Sequence, residues 1–270
     1  MSRHAPWSVP ATAVATFGYH DVTDEPRASG FQWRGAAPYT IGRAVFSSHL
    51  DAMATVSRRP ELVTAADVAT PGRHLLLTFD DGGKSALDVS DELSRRGWLG
   101  HFFIVSGRIG DATFLDAAGI RYLRRSGHII GSHSHTHPNI FREQTREQMV
   151  AEWRTSCDRL ADLLGEPCTV ASVPGGDISP AVLQSAAVAG VRYLFTSEPS
   201  FVPRMVDGCR VLGRYHVKVG TAPERIAALA RFEGWRTALM VRRLKDLLRD
   251  HLPGLYRSYV RYTTREAMPG

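Results

Sequence analysis

Short apolar runs of strand length alternate with helix-patterned segments along most of this 270-residue chain. No other feature constrains the fold as much. Strands are read at Ala11–His20, "HLLLTF" from His74, "HFFIV" from His101, "HIIGS" from His128, "TVASV" from Thr169, "VRYLFT" from Val191 and "CRVLGRYHV" from Cys209. Between them, helical spacing appears around residues 44–58, 85–96, 112–125, 145–164 and 179–189, with Gly97 and Gly127 placed as stops. A long helix follows from Pro223, interrupted near Gly234 and Trp235. Such alternation predicts a parallel α/β fold, in which chemistry gathers where strands end and loops lead into helices.

The chain is 43% apolar and 22% charged, which fits a soluble globular protein and excludes disordered, collagen-like and disulfide-scaffold classes. A formal net charge of +6 favours anionic partners, but the charge is spread along the chain. The densest basic run, "RRLKDLLRDH" from Arg242, alternates with Leu and Asp at helical spacing and reads as a solvated helix face. For the wider basic segment from Arg242 to Arg261, weak contact with an anionic membrane surface or with a nucleotide-linked sugar is the other reading. No nucleic-acid motif is present, so no nucleic-acid partner is expected. Cys157, Cys168 and Cys209 lack metal-site spacing and read as free thiols in a reducing compartment. Pro6, Ser8 and Pro10 interrupt the amino-terminal apolar residues, and no run reaches membrane-spanning length, so a cytoplasmic location is expected.

Two clusters of chemistry-bearing residues fall at strand ends. In "HLLLTFDDGGKS", Asp80 and Asp81 directly follow an apolar strand. Either could be a helix N-cap; a phosphate loop fits less well, because the G-x-x-x-x-G-K spacing is missing. Adjacent carboxylates repel, so burying both calls for a cation or a shared proton. In "HIIGSHSHTHPNI", His133, His135 and His137 follow the next-but-one strand, supplying imidazoles of the kind that bind zinc-like ions.

"TFDDG" followed some fifty residues later by "HSHTH" resembles the polysaccharide deacetylases, carbohydrate esterase family 4, with their nodulation-protein-B homology domain. The resemblance runs from about Ala15 to Gly220, with "YHDV" at Tyr19–Val22 like the family's first strand. It implies a distorted (β/α) barrel of about seven parallel strands over residues 11–222, with residues 223–270 as a basic helical extension packed on it. By motif match, Asp80 resembles the catalytic base, and Asp81, His133 and His137 resemble the ligands of one divalent metal. Zinc is the expected ion, with cobalt or manganese as alternatives; His135 occupies an unspecified motif position. The implied reaction is hydrolysis of an N-acetyl amide on an amino sugar of a polysaccharide or glycoconjugate precursor. The proposed chemistry agrees physically: an Asp/His/His set leaves coordination positions open, and a cation-acidified water can lose its proton to a neighbouring carboxylate.

The chain also departs from the family. Its Arg-x-Pro-x-Gly motif reads "SVPGG", with Ser172 in the arginine's place, while Pro174 and Gly175 stay available as substrate and oxyanion contacts. Arg214 or Arg192 could replace the arginine that orients Asp80. The Asp-x-x-Asp-Trp motif is missing, with Ser197 and Glu198 as polar substitutes in "LFTSEPS". "RYHV" makes His216 a candidate proton donor, readable equally as an ordinary strand histidine, and His20 is a second candidate. The variant pattern is similar to deacetylase-like proteins of bacterial exopolysaccharide or glycoconjugate assembly. Two other functions remain open: a saccharide-binding protein with impaired catalysis, and a deformylase or amidase acting on a non-polymeric amide.

Overall fold

The computed structural model describes residues 9–264 apart from 57, 67, 69 and 177; Arg3, Pro6, Ser8 and the last six residues of the expected extension lie outside the described residues. Six strands run in parallel order β1 to β6: Thr12–Tyr19, Gly72–Phe79, His101–Ile104, Ile129–Ser132, Val170–Ser172 and Tyr193–Phe195. A short antiparallel hairpin follows, made of β7 (Arg204–Val206) and β8 (Cys209–Leu212), with β8 parallel to β6. Then β9 (Tyr215–His216) pairs in parallel with β1, at the opposite end of the sheet.

The single strand expected from Cys209 is therefore two strands. Only Gly213 and Arg214 separate β8, which pairs with β6, from β9, which pairs with β1, so one stretch of chain curls the sheet towards itself and spans its seam. Gly213 is required there, because a Cβ would lie 2.4 Å from the carbonyl oxygens of both Glu198 and Ser200. The expected barrel of about seven strands is present, the seventh being this divided segment, and β7 is the addition that periodicity did not announce.

Side-chain alternation along β2 separates two apolar layers. Leu75, Leu77 and Phe79 face the outer helices, within a core that includes Phe46 and Leu50 of α1 (Arg43–Ala54), Val89 and Leu93 of α2 (Ala86–Arg95), and Ile120 of α3 (Ala117–Arg125). Leu76 joins Val14, Phe103, Val170, Phe195 and Leu212, drawn from five other strands, in the barrel interior, where Val63 and Val68 of the 55–71 loop also pack. Strands buried on both faces lose their polar alternation, which is why they read as unbroken apolar runs.

Helix ends follow local chemistry. Thr145 and Gln148 form a reciprocal capping box at α4 (Arg146–Leu164), which ends at Gly165 in the left-handed conformation. Ser179 caps α5 (Pro180–Val188), with Pro180 at the first position, where a missing N–H is harmless. After β9 come α6 (Pro223–Ala230), α7 (Trp235–His251) and α8 (Pro253–Thr263). Helix α6 packs beside α1 and places Ile226 and Leu229 in the outer core, while α7 and α8 pack against each other.

Two buried histidines tie this core to pH. His101 Nε2 accepts from the N–H of Val63 at 2.9 Å, and its Nδ1 donates to Leu77 O at 2.8 Å. His128 Nδ1 accepts from the N–H of Gly100 at 3.1 Å, and its Nε2 donates to the Ser90 hydroxyl at 2.9 Å. Each ring uses one nitrogen as an acceptor and so must be neutral. Burial pushes both pKa values down from 6.5 to about 4. Between those values the unfolded chain binds more protons, so this stabilisation is full above pH 6.5 and is lost as pH falls towards 4. Thermal unfolding followed across that window should show the midpoint dropping with pH, and His128→Gln should flatten the slope; a pH-independent midpoint would contradict this.

Candidate active site

The interior face of β2 runs Leu76, Thr78 and then Asp80, so strand alternation aims the first aspartate into the barrel mouth. Asp81 adopts a left-handed backbone, φ 75°, as do Ser134 at 63° and His137 at 57°. These are three of the five described non-glycine residues with positive φ, so backbone strain is concentrated where these side chains are aimed.

His133 continues the face of Gly131 beyond β4, and its N–H donates to Ile104 O at 2.8 Å. Its Nδ1 lies 3.0 Å from the carbonyl oxygen of Ser172, which can only accept, so Nδ1 carries a proton and Nε2 is left facing Asp81 Oδ1 at 3.3 Å. His137 Nε2 lies 3.7 Å from the same oxygen. Glu152 of α4, which sequence reading missed, shapes the loop between them. It accepts from the N–H groups of His135 and Thr136, each at 2.8 Å, and from the Thr136 hydroxyl at 2.7 Å. A lone helix glutamate gives no sequence signal for that task. His135 turns away towards the Ser106 hydroxyl, 2.9 Å from Nδ1.

One donor atom each from Asp81, His133 and His137 falls within 4.8 Å of the others. Ligands about 2.1 Å from a tetrahedral ion stand about 3.4 Å apart, and the separations here of 3.3 and 3.7 Å match that spacing. Burial opposes the charge of Asp81, but the His133 ring, with His20 and His137 beyond it, holds its pKa below the usual carboxylate value. Burial pushes His137 down to about 4. The three residues thus offer an anionic oxygen and two imidazoles at the base of the barrel mouth, a donor set that fits a divalent metal.

Asp80 is paired differently. The fully buried guanidinium of Arg214, from the β8–β9 link, donates to both of its oxygens, Nη1 to Oδ1 at 2.7 Å and Nη2 to Oδ2 at 2.9 Å. Burial alone would raise the Asp80 pKa, but Arg214 foremost, then His133 and His20, hold it far below the carboxylate range. The Ser172 hydroxyl completes the arrangement, donating to Asp80 Oδ1 at 3.1 Å and accepting from Arg214 Nη2 at 2.9 Å. A serine at 172 therefore leaves room for an arginine arriving from another strand. Arg192 is exposed at the far end of β6 and plays no part. His20, Asp80 and His216 also gather within 4.8 Å, but Arg214 already holds both Asp80 oxygens and repels a cation there.

His216 Nε2 lies 2.9 Å from the Ser197 hydroxyl. Its ring requires glycine at position 18 of β1, where a Cβ would come within 2.9 Å of it. His20 packs 4.7 Å from the Tyr39 ring and 5.4 Å from that of His216, with Nδ1 buried and unpartnered. Glu198 turns outward to pair with Arg204 at 3.0 Å, so of the two expected polar substitutes only Ser197 reaches the site. Gly175 lines the cleft; Pro174, in the same turn, is buried and does not.

Above these groups opens a cleft of about 600 Å³. Trp33 and Tyr39 line it from the loop after β1, and Val241, Arg242, Tyr256 and Tyr259 from α7 and α8. Arg242 Nη2 donates to Gly176 O at 2.7 Å, fastening α7 to the "SVPGG" turn.

Removing one member of a buried ion pair strands the other charge, which costs about 3–5 kcal/mol. Arg214→Leu should lower the urea-unfolding free energy by about that amount, and adding Asp80→Asn should recover most of it. Equal losses in the single and double variants would show that the pair is not coupled.

The chain shares its fold with several solved structures at low identity. Streptococcus pyogenes deacetylase PplD in complex with acetate superposes with a TM-score of 0.67 at 17% identity, over 81% of this chain and 98% of that one. IcaB from Ammonifex degensii gives 0.66 at 20%, covering 82% and 97%. A de-N-acetylase from Aggregatibacter actinomycetemcomitans gives 0.66 at 15%, covering 80% and 99%. These likenesses establish the fold alone. No curated protein sequence matches the chain. The family model described as polysaccharide deacetylase matches residues 67–194, which carry the aspartate pair, the histidine loop and the "SVPGG" turn. That match makes residues 67–194, with their motifs in the order expected from the sequence, similar to the polysaccharide deacetylase family.

Proposed function

We propose that the protein is a metal-dependent hydrolase that removes the N-acetyl group from an amino sugar of a polysaccharide or glycoconjugate precursor. The observation that carries this reading is the pairing of Arg214 with Asp80 beside the Asp81/His133/His137 set, at the floor of a cleft large enough for a sugar unit. A saccharide-binding protein that had lost catalysis would have no use for the pair, since the metal donors do not need Asp80. The grounds for that alternative were the missing family arginine and acid motifs, and the pairing of Arg214 with Asp80 from another strand speaks against the first.

Asp81, His133 and His137 would hold one divalent ion, with zinc favoured by the two imidazoles and cobalt or manganese as alternatives. Such an ion supplies Lewis acidity to the acyl carbonyl and lowers the pKa of a water molecule to about 7. Asp80 then takes the proton of the attacking water. Arg214 and Ser172 keep its carboxylate ionised and fixed in direction, so the proton goes to a group that is already oriented. So weak a base hands the proton on readily, and His216 or His20 is the candidate to carry one to the departing amine. The Gly175 N–H is the candidate donor to the acyl oxygen as charge develops there. The amide C–N bond breaks, leaving acetate and a free amine.

Acetate release from chitooligosaccharides and from nucleotide-linked N-acetylhexosamines, together with metal analysis, tests the proposal. Chelation should abolish turnover and zinc should restore it. Asp80→Asn should keep the metal and lose about 10²–10⁴-fold in kcat, and His133→Ala should lose the metal itself. Full metal occupancy with no acyl release from any sugar would overturn the reading in favour of a binder.

A further inference from the structure

We propose that helices α7 and α8 form a docking surface for an anionic lipid bilayer, placing the mouth of the cleft at the membrane surface. On α7, Met240, Leu244 and Leu247 recur at helical spacing and are 71%, 60% and 57% exposed. On α8, Leu255 and Tyr259 do the same at 68% and 64%, while Tyr262, 55% exposed, is held by Arg34, whose Nη1 donates to its hydroxyl at 2.6 Å. Eight of the fourteen exposed large apolar side chains among the described residues fall between Met240 and Tyr262. A surface helix of a globular protein turns its apolar stripe inward. Here Trp235 and Val260 are turned inward, and a second apolar stripe on each helix is turned out.

Charge identifies the occupant. Residues 235–264 contain Arg236, Arg242, Arg243, Lys245, Arg249, Arg257 and Arg261 against only Asp246 and Asp250. This segment therefore carries a formal +5, most of the chain's net charge of +6. Some of it is internally engaged: Asp246 pairs with Arg242 and Arg249, and Arg257 pairs with Glu143. Arg243 and Arg261 are exposed beside the apolar stripes. Apolar side chains flanked by arginines match the two layers of an anionic membrane interface, acyl chains beneath phosphate headgroups. No helix among the described residues is long and apolar enough to cross a membrane, so the pair would lie in the interface plane.

The docking face borders the cleft. Val241 and Tyr259, one from each helix, are exposed and also line the cavity, so a bilayer seated on the stripes would meet its rim. A saccharide held at a membrane would reach the Asp80 side of the barrel without leaving the surface. The surface is argued from α7 and α8 alone and stands whether or not the cleft deacetylates sugars.

Co-sedimentation of the full chain with vesicles tests this. The protein should pellet with vesicles of phosphatidylcholine mixed with phosphatidylglycerol, pellet much less with phosphatidylcholine alone, and be released by high salt. The combined change Leu244→Ser, Leu247→Ser and Leu255→Ser, at residues that do not line the cleft, should abolish pelleting with an unchanged circular dichroism spectrum. Arg243→Gln and Arg261→Gln should each weaken partitioning about fivefold. If that serine variant does not fold, the two arginine variants carry the test alone. Absence of vesicle binding would overturn the proposal. So would self-association of the wild type without lipid that the serine changes abolish, since a second copy of the chain would then cover the stripes.

Discussion

The contact between Arg214 and Asp80 is the constraint around which this barrel mouth is organised. A carboxylate and a guanidinium are both removed from water there, at a desolvation cost of several kcal/mol per ion that only close geometry can offset. The offset comes from two near-parallel hydrogen bonds of 2.7 and 2.9 Å, supplemented by Ser172 and by Thr78, whose hydroxyl lies 3.1 Å from Arg214 Nη1. Each requirement reaches back into sequence. Position 172 must be small, and position 213 must lack a side chain so that the arginine's strand can cross close to residues 198–200. The carboxylate must lie on the inward register of β2.

Strain follows from the same demand for direction. Asp81, Ser134 and His137 sit in a backbone region that non-glycine residues avoid, and the surrounding hydrogen bonds hold them there. The Ser134 hydroxyl accepts from the N–H of His137 at 3.1 Å, and the Ser132 hydroxyl from that of Ser134 at 3.1 Å. Glu152 holds the outer side of the same loop. A relaxed loop would carry the same imidazoles, but nothing would keep their nitrogens at metal-ligand separations from Asp81.

The sequence made the parallel strands readable because β2 and its neighbours are apolar on both faces, and it made the metal side of the site readable because aspartates and histidines sit directly at strand ends. Periodicity failed at residues 209–216. Side-chain alternation runs smoothly through "CRVLGRYHV", while the hydrogen-bonding partner changes from β6 to β1 at Gly213–Arg214, and local pattern carries no record of a strand's partner. The pairing of Asp80 with an arginine was legible only as a vacancy at Ser172. Arg214 and Arg192 were equal candidates on paper, and the sheet's direction separates them, because one lies at the carboxyl end of its strand and the other at the amino end. Glu152 was invisible for a related reason: a helix residue that grips a loop 16 and 17 positions earlier leaves no periodic trace.

The eight residues from Cys209 to His216 link the β6 side of the sheet to its β1 side and also deliver Arg214 and His216 to its mouth. Architecture and chemistry are usually separable in barrel proteins, where loops vary over a fixed scaffold. Here they share one length of chain. A residue inserted between β8 and β9 would shift the seam and the arginine together, so this segment is closed to the drift in loop length by which barrels commonly diversify. The rest of the rim, the loop after β1 and the two carboxyl-terminal helices, lines the cleft without carrying the seam.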